Sequence, residues 1–264
     1  MILKLMAEVE IVYVAVIPQD NPGIDLVKAV AGIIGKDAYQ TRLLLAGSIP
    51  RIVARCNGVR EAEALARQLR EVGLTTIVCS DAELRGPFHG VRAKTLEFGD
   101  RGVTFQQGDG GGKITLKTGA VFLIIKGLRQ PAPEVEEAPA KTKLKLNVGA
   151  TLVTGGIPIL KRVKQKPKAA SSQSEWFLRL YEQASSEPRV EMLQYDMDYS
   201  FLGVETTLSS VANFINVVKR LREIYPQAIY DERLMKTYTT DIPMTTADED
   251  MDINCRLIYF QHLP

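Results

Sequence analysis

The clearest pattern of apolar and polar positions lies in residues 57–81. Apolar side chains recur there at steps of three and four residues, the period of a helix with one buried face. These positions are Val59, Ala62, Leu65, Ala66, Leu69 and Val72. Gly73 then supplies a left-handed stop, and residues 74–79 form a β-branched run that is typical of a buried strand. The pattern predicts a helix, a glycine stop and a strand, and it carries no chemistry by itself.

The residues before this helix predict three further elements and a link. Residues 10–17 have the composition of a central strand, which Pro18 ends. Residues 24–34 and 36–46 have apolar residues at helical spacing, with Gly35 between them. Residues 51–56 are a short extended or loosely helical link. The predicted order for residues 10–81 is therefore strand, helix, helix, link, helix, strand.

Several short motifs in this segment carry a family resemblance. They are the LVKAV run at 26–30, Gly35, Pro50, the EAEAL run at 61–65 after Gly58 and Val59, and the LREVG run at 69–73. On these residues, the segment resembles the C-terminal domain of the bacterial ribosomal stalk protein. It is also similar to the related fold of the adaptor that delivers N-degron substrates to the Clp protease. The resemblance implies an α/β sandwich and a role in binding another protein.

The resemblance also implies which residues would contact the partner. The stalk domain recruits translation factors through a lysine-bearing second helix, and residues 36–42 keep part of that charge. The implied partner-binding residues are Lys36, Arg42, Arg60 and Arg67. The protease adaptor uses a helical histidine, but no histidine occurs between Met1 and Phe88. Capture of a peptide amine is therefore not the expected function.

The period changes to that of strands in residues 91–127. Four short β-type runs separated by glycine-rich turns predict an antiparallel meander. It would either extend the first sheet or form a small half-barrel packed on it. The glycine-rich run at 108–112 precedes a strand-like segment rather than a helix. We therefore interpret it as a hairpin loop and not as a phosphate-binding loop.

Residues 130–143 are rich in Pro, Ala and Glu, which predicts a semi-rigid linker. They would separate a first domain, residues 1–129, from a second, residues 144–264. The second is predicted to be α+β on a mainly antiparallel sheet, so that the fold class is α+β with two domains. Within it we expect two strands in residues 144–163 around a turn at residues 155–156. After them we expect a helix that begins at Ser174, a strand over 190–201, a helix over 209–225 and a final strand over 254–261. Residues 239–252, with the acidic run 248–252, are predicted to be a solvated loop.

Composition excludes little and favours an ordinary globular protein. The 264 residues are 45% hydrophobic and 24% charged, and the net charge is +2. Three cysteines without metal-type spacing argue against a disulfide framework and favour a reducing compartment, the cytoplasm. No run of about 18 apolar residues occurs, so no membrane partner is expected. No cofactor motif is present, and no cofactor is predicted.

The most basic stretch begins in the predicted linker. Eight Lys and Arg residues lie between Ala138 and Ser174 without a single carboxylate. The candidate nucleic-acid-binding residues among them are Lys161, Arg162, Lys164, Lys166 and Lys168. Clustered cations of this kind bind phosphates. The alternative is a solvated strand edge that lysines protect against aggregation, followed by a polar loop.

Asp196 and Asp198 form the one spacing that indicates a metal site. On a strand, alternate residues share a face, so both carboxylates would point the same way. With Glu205, Asp231 or Glu232 they could hold a divalent metal. The alternative is that they form the wet face of a half-buried strand. The two histidines, His89 and His262, lack neighbouring ligands, and no nucleophile elbow is present. The sequence thus favours a non-catalytic adaptor or scaffold, with a metal-dependent nuclease or nucleic-acid-binding protein as the alternative.

Overall fold

The computed structural model describes residues 10–108, 111–129, 143–146, 160–163, 174–236 and 246–263. Within them the fold class is α+β, as predicted, with mainly antiparallel sheets. The chain divides into one compact unit, Met1–Gln130 with Ser174–Pro264, and a second, Pro131–Gln173. The predicted linker, residues 130–143, lies outside the described residues except for its last position.

The first part of the large unit has the element order predicted from the sequence. Its elements are β1 (Ile11–Val16), α1 (Ile24–Ile34), α2 (Ala38–Leu45), β2 (Arg51–Asn57), α3 (Val59–Glu71) and β3 (Thr76–Ser80). The link at 51–56 is strand β2, and the three strands pair antiparallel in the order β2-β1-β3. Val12, Val14 and Val16 pack under α1–α3 in one core cluster. Tyr13 and Ala15 belong to a different cluster on the opposite face, as the alternation of a strand requires.

The meander takes neither of the two forms that the sequence allowed. After the short α4 (Asp81–Arg85) come β4 (Val91–Arg92), β5 (Thr95–Gly99), β6 (Gly102–Gln106), β7 (Lys113–Lys117) and β8 (Val121–Arg129). Strands β5, β6 and β7 form their own antiparallel sheet, which confirms the hairpin between β6 and β7. Strand β8 belongs to another, five-stranded sheet. The small sheet packs on that sheet through Leu96, Val103, Phe105 and Leu116.

The five-stranded sheet joins strands from both halves of the sequence. Its order is β13-β8-β11-β12-β4, where β11 is Glu175–Glu182, β12 is Val190–Leu193 and β13 is Ile229–Leu234. Strand β8 pairs antiparallel with β11 from Val121 to Arg129 and parallel with β13. The predicted two-domain division would place β8 and β11 in different domains, whereas the structure pairs them at the centre of one sheet.

Two predictions in the second half are wrong because the segments concerned are buried on all sides and so lack the period of their structure. The segment that begins at Ser174 is strand β11 and not a helix, and residues 254–261 belong to a helix and not to a strand. Strand β11 is buried on both faces, so its apolar residues do not alternate. Strand β12 ends at Leu193, and a 3-10 helix, Tyr199–Glu205, follows where the sequence predicts a longer strand. The predicted amphipathic helix is confirmed as α5 (Ser210–Ile224).

The last helix, α6 (Ala247–His262), lies between the five-stranded sheet and the β1–β3 sheet. Met251, Cys255, Ile258 and Tyr259 pack on β8, β11 and β13. Ile253 and Leu257 pack on the β1–β3 sheet and on Leu84 of α4. Residues 253–259 of α6 are all buried, including Asn254 and Arg256, so the helix shows little amphipathic pattern in the sequence. The acidic run at 248–252 forms its first turns, which corrects the predicted loop.

The second unit is described at two strands only. Strand β9 (Lys143–Leu146) pairs antiparallel with β10 (Leu160–Val163), which confirms the two predicted strands of this region. The predicted turn at residues 155–156 lies outside the described residues.

Candidate functional site

The four predicted partner-binding residues all lie in the layer of helices that covers one face of the β1–β3 sheet. Arg42 is on α2, Arg60 and Arg67 are on α3, and Lys36 lies in the turn between α1 and α2. All four are exposed. Within the described residues none of them forms an ion pair with a carboxylate, whereas the neighbouring Arg70 is paired with Glu63 at 3.4 Å. Their charges are therefore available to a partner.

Helix α2 also exposes large apolar side chains, which the sequence reasoning had not singled out. Tyr39 is 73% exposed and Leu43 is 57% exposed, while Thr41, Leu44 and Leu45 are buried. Tyr39 and Leu43 are one turn apart and share a face of the helix with Arg42. Asp37 begins the helix by accepting a hydrogen bond from the Gln40 backbone N–H at 2.8 Å. We call Lys36, Tyr39, Arg42 and Leu43 the α2 surface.

The basic stretch of the second unit is described in part. Strands β9 and β10 place Lys145 opposite Lys161, Leu144 opposite Arg162 and Lys143 opposite Val163. Two of the five candidate nucleic-acid-binding residues, Lys161 and Arg162, thus lie on this hairpin. The other three, Lys164, Lys166 and Lys168, lie outside the described residues.

The predicted metal pair does not sit on a strand. Asp196 and Asp198 lie in the turn after β12, and both are exposed. The Asp198 carboxylate accepts a hydrogen bond from the Ser200 backbone N–H at 2.9 Å and so caps the 3-10 helix. Within the described part of the chain, no three His, Cys, Asp or Glu side chains converge in a way that could hold a metal ion. Asp196 and Asp198 therefore have no third ligand of these types among the described residues.

A groove that the sequence did not predict lies between α5 and strands β8 and β13. Its volume is about 550 Å³, within the range of about 300–1,000 Å³ that small-molecule sites occupy. Ile124 and Val218 are part of its apolar lining, and Ile215 stands at its rim, 46% exposed. Its charged lining consists of Lys126, Lys219, Arg222, Glu223 and Glu232. These residues come from three separate stretches of sequence, and only the fold brings them together.

Two cations of this groove are held over aromatic rings. The Lys126 ammonium lies 4.4 Å from the centre of the Trp176 ring, and the Arg222 guanidinium lies 4.3 Å from the centre of the Tyr230 ring. Among the described residues, neither these two cations nor Lys219 has a carboxylate within ion-pair distance. Burial, together with the Glu232 carboxylate, raises the pKa of Tyr230 to about 12, so its hydroxyl stays protonated at neutral pH.

The buried charges elsewhere compensate one another. Arg179, on the face of β11 that α6 covers, bonds Glu191 at 2.7 Å and Asp252 at 2.5 Å. Glu191 also bonds Arg92 at 2.8 Å. Burial alone would raise the pKa of Glu191, but Arg179 and Arg92 together hold it below its ordinary value. Such a network of paired charges positions helix α6 on the five-stranded sheet.

A second cluster joins the end of α6 to β13. Asp231 accepts bonds from Arg233 and lies 3.1 Å from Nε2 of His262, and Arg233 also donates to the Ser48 carbonyl. Burial favours a higher pKa for Asp231, but the bonds from Arg233 and His262 lower it. Within the described residues His262 bonds no serine or cysteine, so the pair lacks the nucleophile of a hydrolytic triad.

Comparisons of the chain with models of protein families, with curated proteins and with solved structures find no match. The resemblance of residues 10–80 to the ribosomal-stalk domain therefore stays a prediction. Among the described residues, no single helix is long and apolar enough to cross a membrane. The 3-10 helix and α5 reach that length and composition only when they are taken together, and the chain bends by 87° between them.

Proposed function

We propose that this chain is a non-catalytic protein-interaction module, of adaptor or scaffold type, whose partner binds the α2 surface. The observation that carries the proposal is the pair Tyr39 and Leu43, 73% and 57% exposed on one face of a short helix. A soluble helix normally turns such residues inward. Tyrosine and arginine are the residue types that most often anchor protein interfaces. Arg42, exposed and unpaired among the described residues, lies on the same face.

The charges of this layer indicate the chemistry of the partner. Lys36 and Arg42 flank the two apolar side chains, and α3 adds Arg60 and Arg67. A partner with acidic side chains around an apolar anchor would complement this surface. The resemblance to the stalk domain, which binds its factors through the second helix, agrees with this choice of face. The exposed charges are expected to contribute more to association rate and selectivity than to affinity.

The experiment compares three versions of the full chain as bait in a lysate of the native host. The first is the natural chain, the second carries Tyr39→Ala, Arg42→Glu and Leu43→Ala, and the control carries Val204→Ala and Leu208→Ala. Val204 and Leu208 are the most exposed of the large apolar residues described, so the control removes comparable apolar surface elsewhere. We expect proteins that are captured by the natural chain and by the control but are lost from the α2 variant. Identical captures by all three versions would contradict the proposal.

A second candidate function, nucleic-acid binding, is favoured by the pairing of β9 with β10. The register brings Lys143, Lys145, Lys161 and Arg162 onto one antiparallel pair of strands, each of four residues. The sequence places no carboxylate between Ala138 and Ser174 to neutralise them. Such a hairpin would bind phosphates without sequence preference and with a strong salt dependence.

Fluorescence anisotropy with labelled RNA and DNA at several salt concentrations tests this candidate. The variant Lys145→Gln with Lys161→Gln should weaken binding and lower the salt slope by about 1 for each lysine that contacts a phosphate. Lys113→Gln with Lys117→Gln on strand β7 is the matched control, because both lysines are exposed on another sheet. If the natural chain gives no anisotropy change at low salt, this candidate is rejected.

A further inference from the structure

The groove between α5 and strands β8 and β13 has a lining that combines apolar and basic residues. Along one face of α5 the residues at steps of four, four and three are Val211, Ile215, Lys219 and Arg222. Ile215 lines the groove and is 46% exposed, and Val211, which is 38% exposed, lies one turn before it on the helix. Lysine and arginine follow on the same face one and two turns later. The face therefore changes from apolar to cationic along the helix.

The opposite wall repeats this pairing of apolar surface with positive charge. Ile124 of β8 is buried in the floor, and Lys126, two residues later on the same face of the strand, is held over Trp176. The ring of Tyr230, on β13, makes a cation–π contact with the Arg222 guanidinium. A cation that is already fixed over a ring loses less conformational entropy when it binds an anion. Both cations are thus arranged in advance, and neither is neutralised by a carboxylate among the described residues.

Two carboxylates, those of Glu223 and Glu232, also line the groove. Both are exposed, so solvent screens their charge. Three cations against two carboxylates leave a lining charge of +1. This surplus favours one anionic group and disfavours a polyanion. The apolar part of the lining favours a ligand whose remaining part is a hydrocarbon chain.

We propose that this groove binds a single-chain amphipathic anion of low molecular weight, such as an alkyl phosphate or a fatty carboxylate. The alkyl chain would lie along Ile215 and Val218, and the anionic group would lie among Lys126, Lys219 and Arg222. The proposal is independent of the protein partner, because the α2 surface and the groove share no residue. Apolar burial supplies the affinity, and the charge-assisted hydrogen bonds fix the orientation.

The natural chain carries its own reporter of binding. Trp176 is the only tryptophan, and the Lys126 ammonium lies 4.4 Å from its ring centre. An anion that binds Lys126 over the ring places a negative charge close to the indole and should change the tryptophan emission. The probe is decyl phosphate below its micelle-forming concentration. Inorganic phosphate tests the head alone, and decyltrimethylammonium tests the chain with the opposite charge. Vesicles of anionic phospholipid test whether the same head group is recognised on a membrane.

We expect saturable binding of decyl phosphate, weaker binding of inorganic phosphate and no binding of the ammonium compound. Lys126→Met should weaken decyl phosphate binding about tenfold. The loss of one hydrogen bond to a charged group changes a dissociation constant by roughly this factor. Calorimetry is the readout for this variant, since the substitution also alters the surroundings of Trp176. Ile215→Glu should weaken binding of decyl phosphate more strongly than binding of inorganic phosphate. Lys117→Met, at an exposed position of strand β7 outside the groove, should leave binding unchanged.

Several outcomes would overturn the proposal. The charge argument fails if the ammonium compound binds as well as decyl phosphate. The location fails if Lys126→Met and Ile215→Glu, shown to be folded by circular dichroism, bind decyl phosphate as the natural chain does. Binding to anionic vesicles without binding of monomeric decyl phosphate would replace the small-molecule site with a membrane-surface contact.

Discussion

The buried pair of Arg179 and Glu191 allows a quantitative test of what holds α6 on the five-stranded sheet. The side chains of Arg179 and Glu191 are 5% and 1% exposed, and the shortest distance between them is 2.7 Å. Glu191→Gln keeps the shape of the side chain and removes its charge. Arg179 then retains Asp252 as its only carboxylate partner among the described residues, and that partner is 38% exposed.

The expected cost follows from the burial of the group that stays charged. Breaking a buried ion pair by removing one partner costs about 3–5 kcal/mol of unfolding free energy, because the other charge remains out of water. We expect about 3 kcal/mol for Glu191→Gln, the lower end, because Asp252 still balances Arg179 in part. The matched control is Glu182→Gln, whose partner Arg189 is 48% exposed. Half-exposed pairs contribute about 0–1 kcal/mol.

Urea unfolding followed by circular dichroism measures both variants. The slope with urea should be unchanged and the midpoint should fall, because the surface exposed on unfolding is the same. Since domains are stable by about 5–15 kcal/mol, a loss of about 3 kcal/mol is readily resolved. If Glu191→Gln costs no more than Glu182→Gln, the network contributes little and the reasoning is refuted.

The pH dependence gives a second readout of the same pair. The pKa of Glu191 is lower in the folded chain than in the unfolded chain, so its stabilising effect is fully present above the unfolded value. The effect is lost as the pH falls through the folded value. The difference in stability between the natural chain and Glu191→Gln should therefore shrink as the pH is lowered below about 4.3. A difference that stays constant through this range would argue against an electrostatic origin.

Three further outcomes test the core. Gly127→Ala should lower the free energy of unfolding in urea by about 1–3 kcal/mol, because the added methyl would lie 2.4 Å from the Phe177 ring. Gly112→Ala in the β6–β7 loop is the control and should be nearly neutral. Leu257→Ala should cost about 2–5 kcal/mol and Leu263→Ala less than about 0.5 kcal/mol, because only the first side chain is buried between sheets. The native chain should show no thiol that reacts with Ellman's reagent at pH 8, and the denatured chain three. Burial keeps these thiols protonated, and it raises the pKa of two of them to about 12. The three residues are Cys56, Cys79 and Cys255.

Elements with one wet face were predictable from the sequence, and elements without one were not. Helix α3 has buried Ala62, Ala66 and Leu69 and exposed charges between them, so its period is clear. Strand β11 carries a run of buried residues from Phe177 to Tyr181, with the charged Arg179 inside it. This composition fits a buried strand and a buried helix equally well.

Helix α6 did leave one local signal. Thr246 and Glu249 form a capping box, in which each side chain bonds the backbone N–H of the other residue. A Thr followed three residues later by Glu before an apolar run is a known sign of a helix start. The acidic residues around it were interpreted as a solvated loop, although acidic side chains also suit the first turn of a helix. The groove left no such signal, because its residues are far apart in sequence.

The position of α6 also explains why the linker-based division of the chain was misleading. The β1–β3 sheet covers one face with its own three helices, and its other face, with Tyr13 and Ala15, is covered by Ile253 and Leu257 of α6. Arg256, 5% exposed, adds a polar connection, because it donates to the carbonyls of Glu83 and Gly86 at the end of α4.

A unit cut out at residue 81 would therefore expose the apolar sheet face that Ile253 and Leu257 now cover. The proposed interaction surface does not compete with this docking, since Tyr39 and Leu43 lie in the helical layer on the opposite face of the sheet. One face of the β1–β3 sheet thus joins the rest of the chain, and the helices on the other face remain available to a partner.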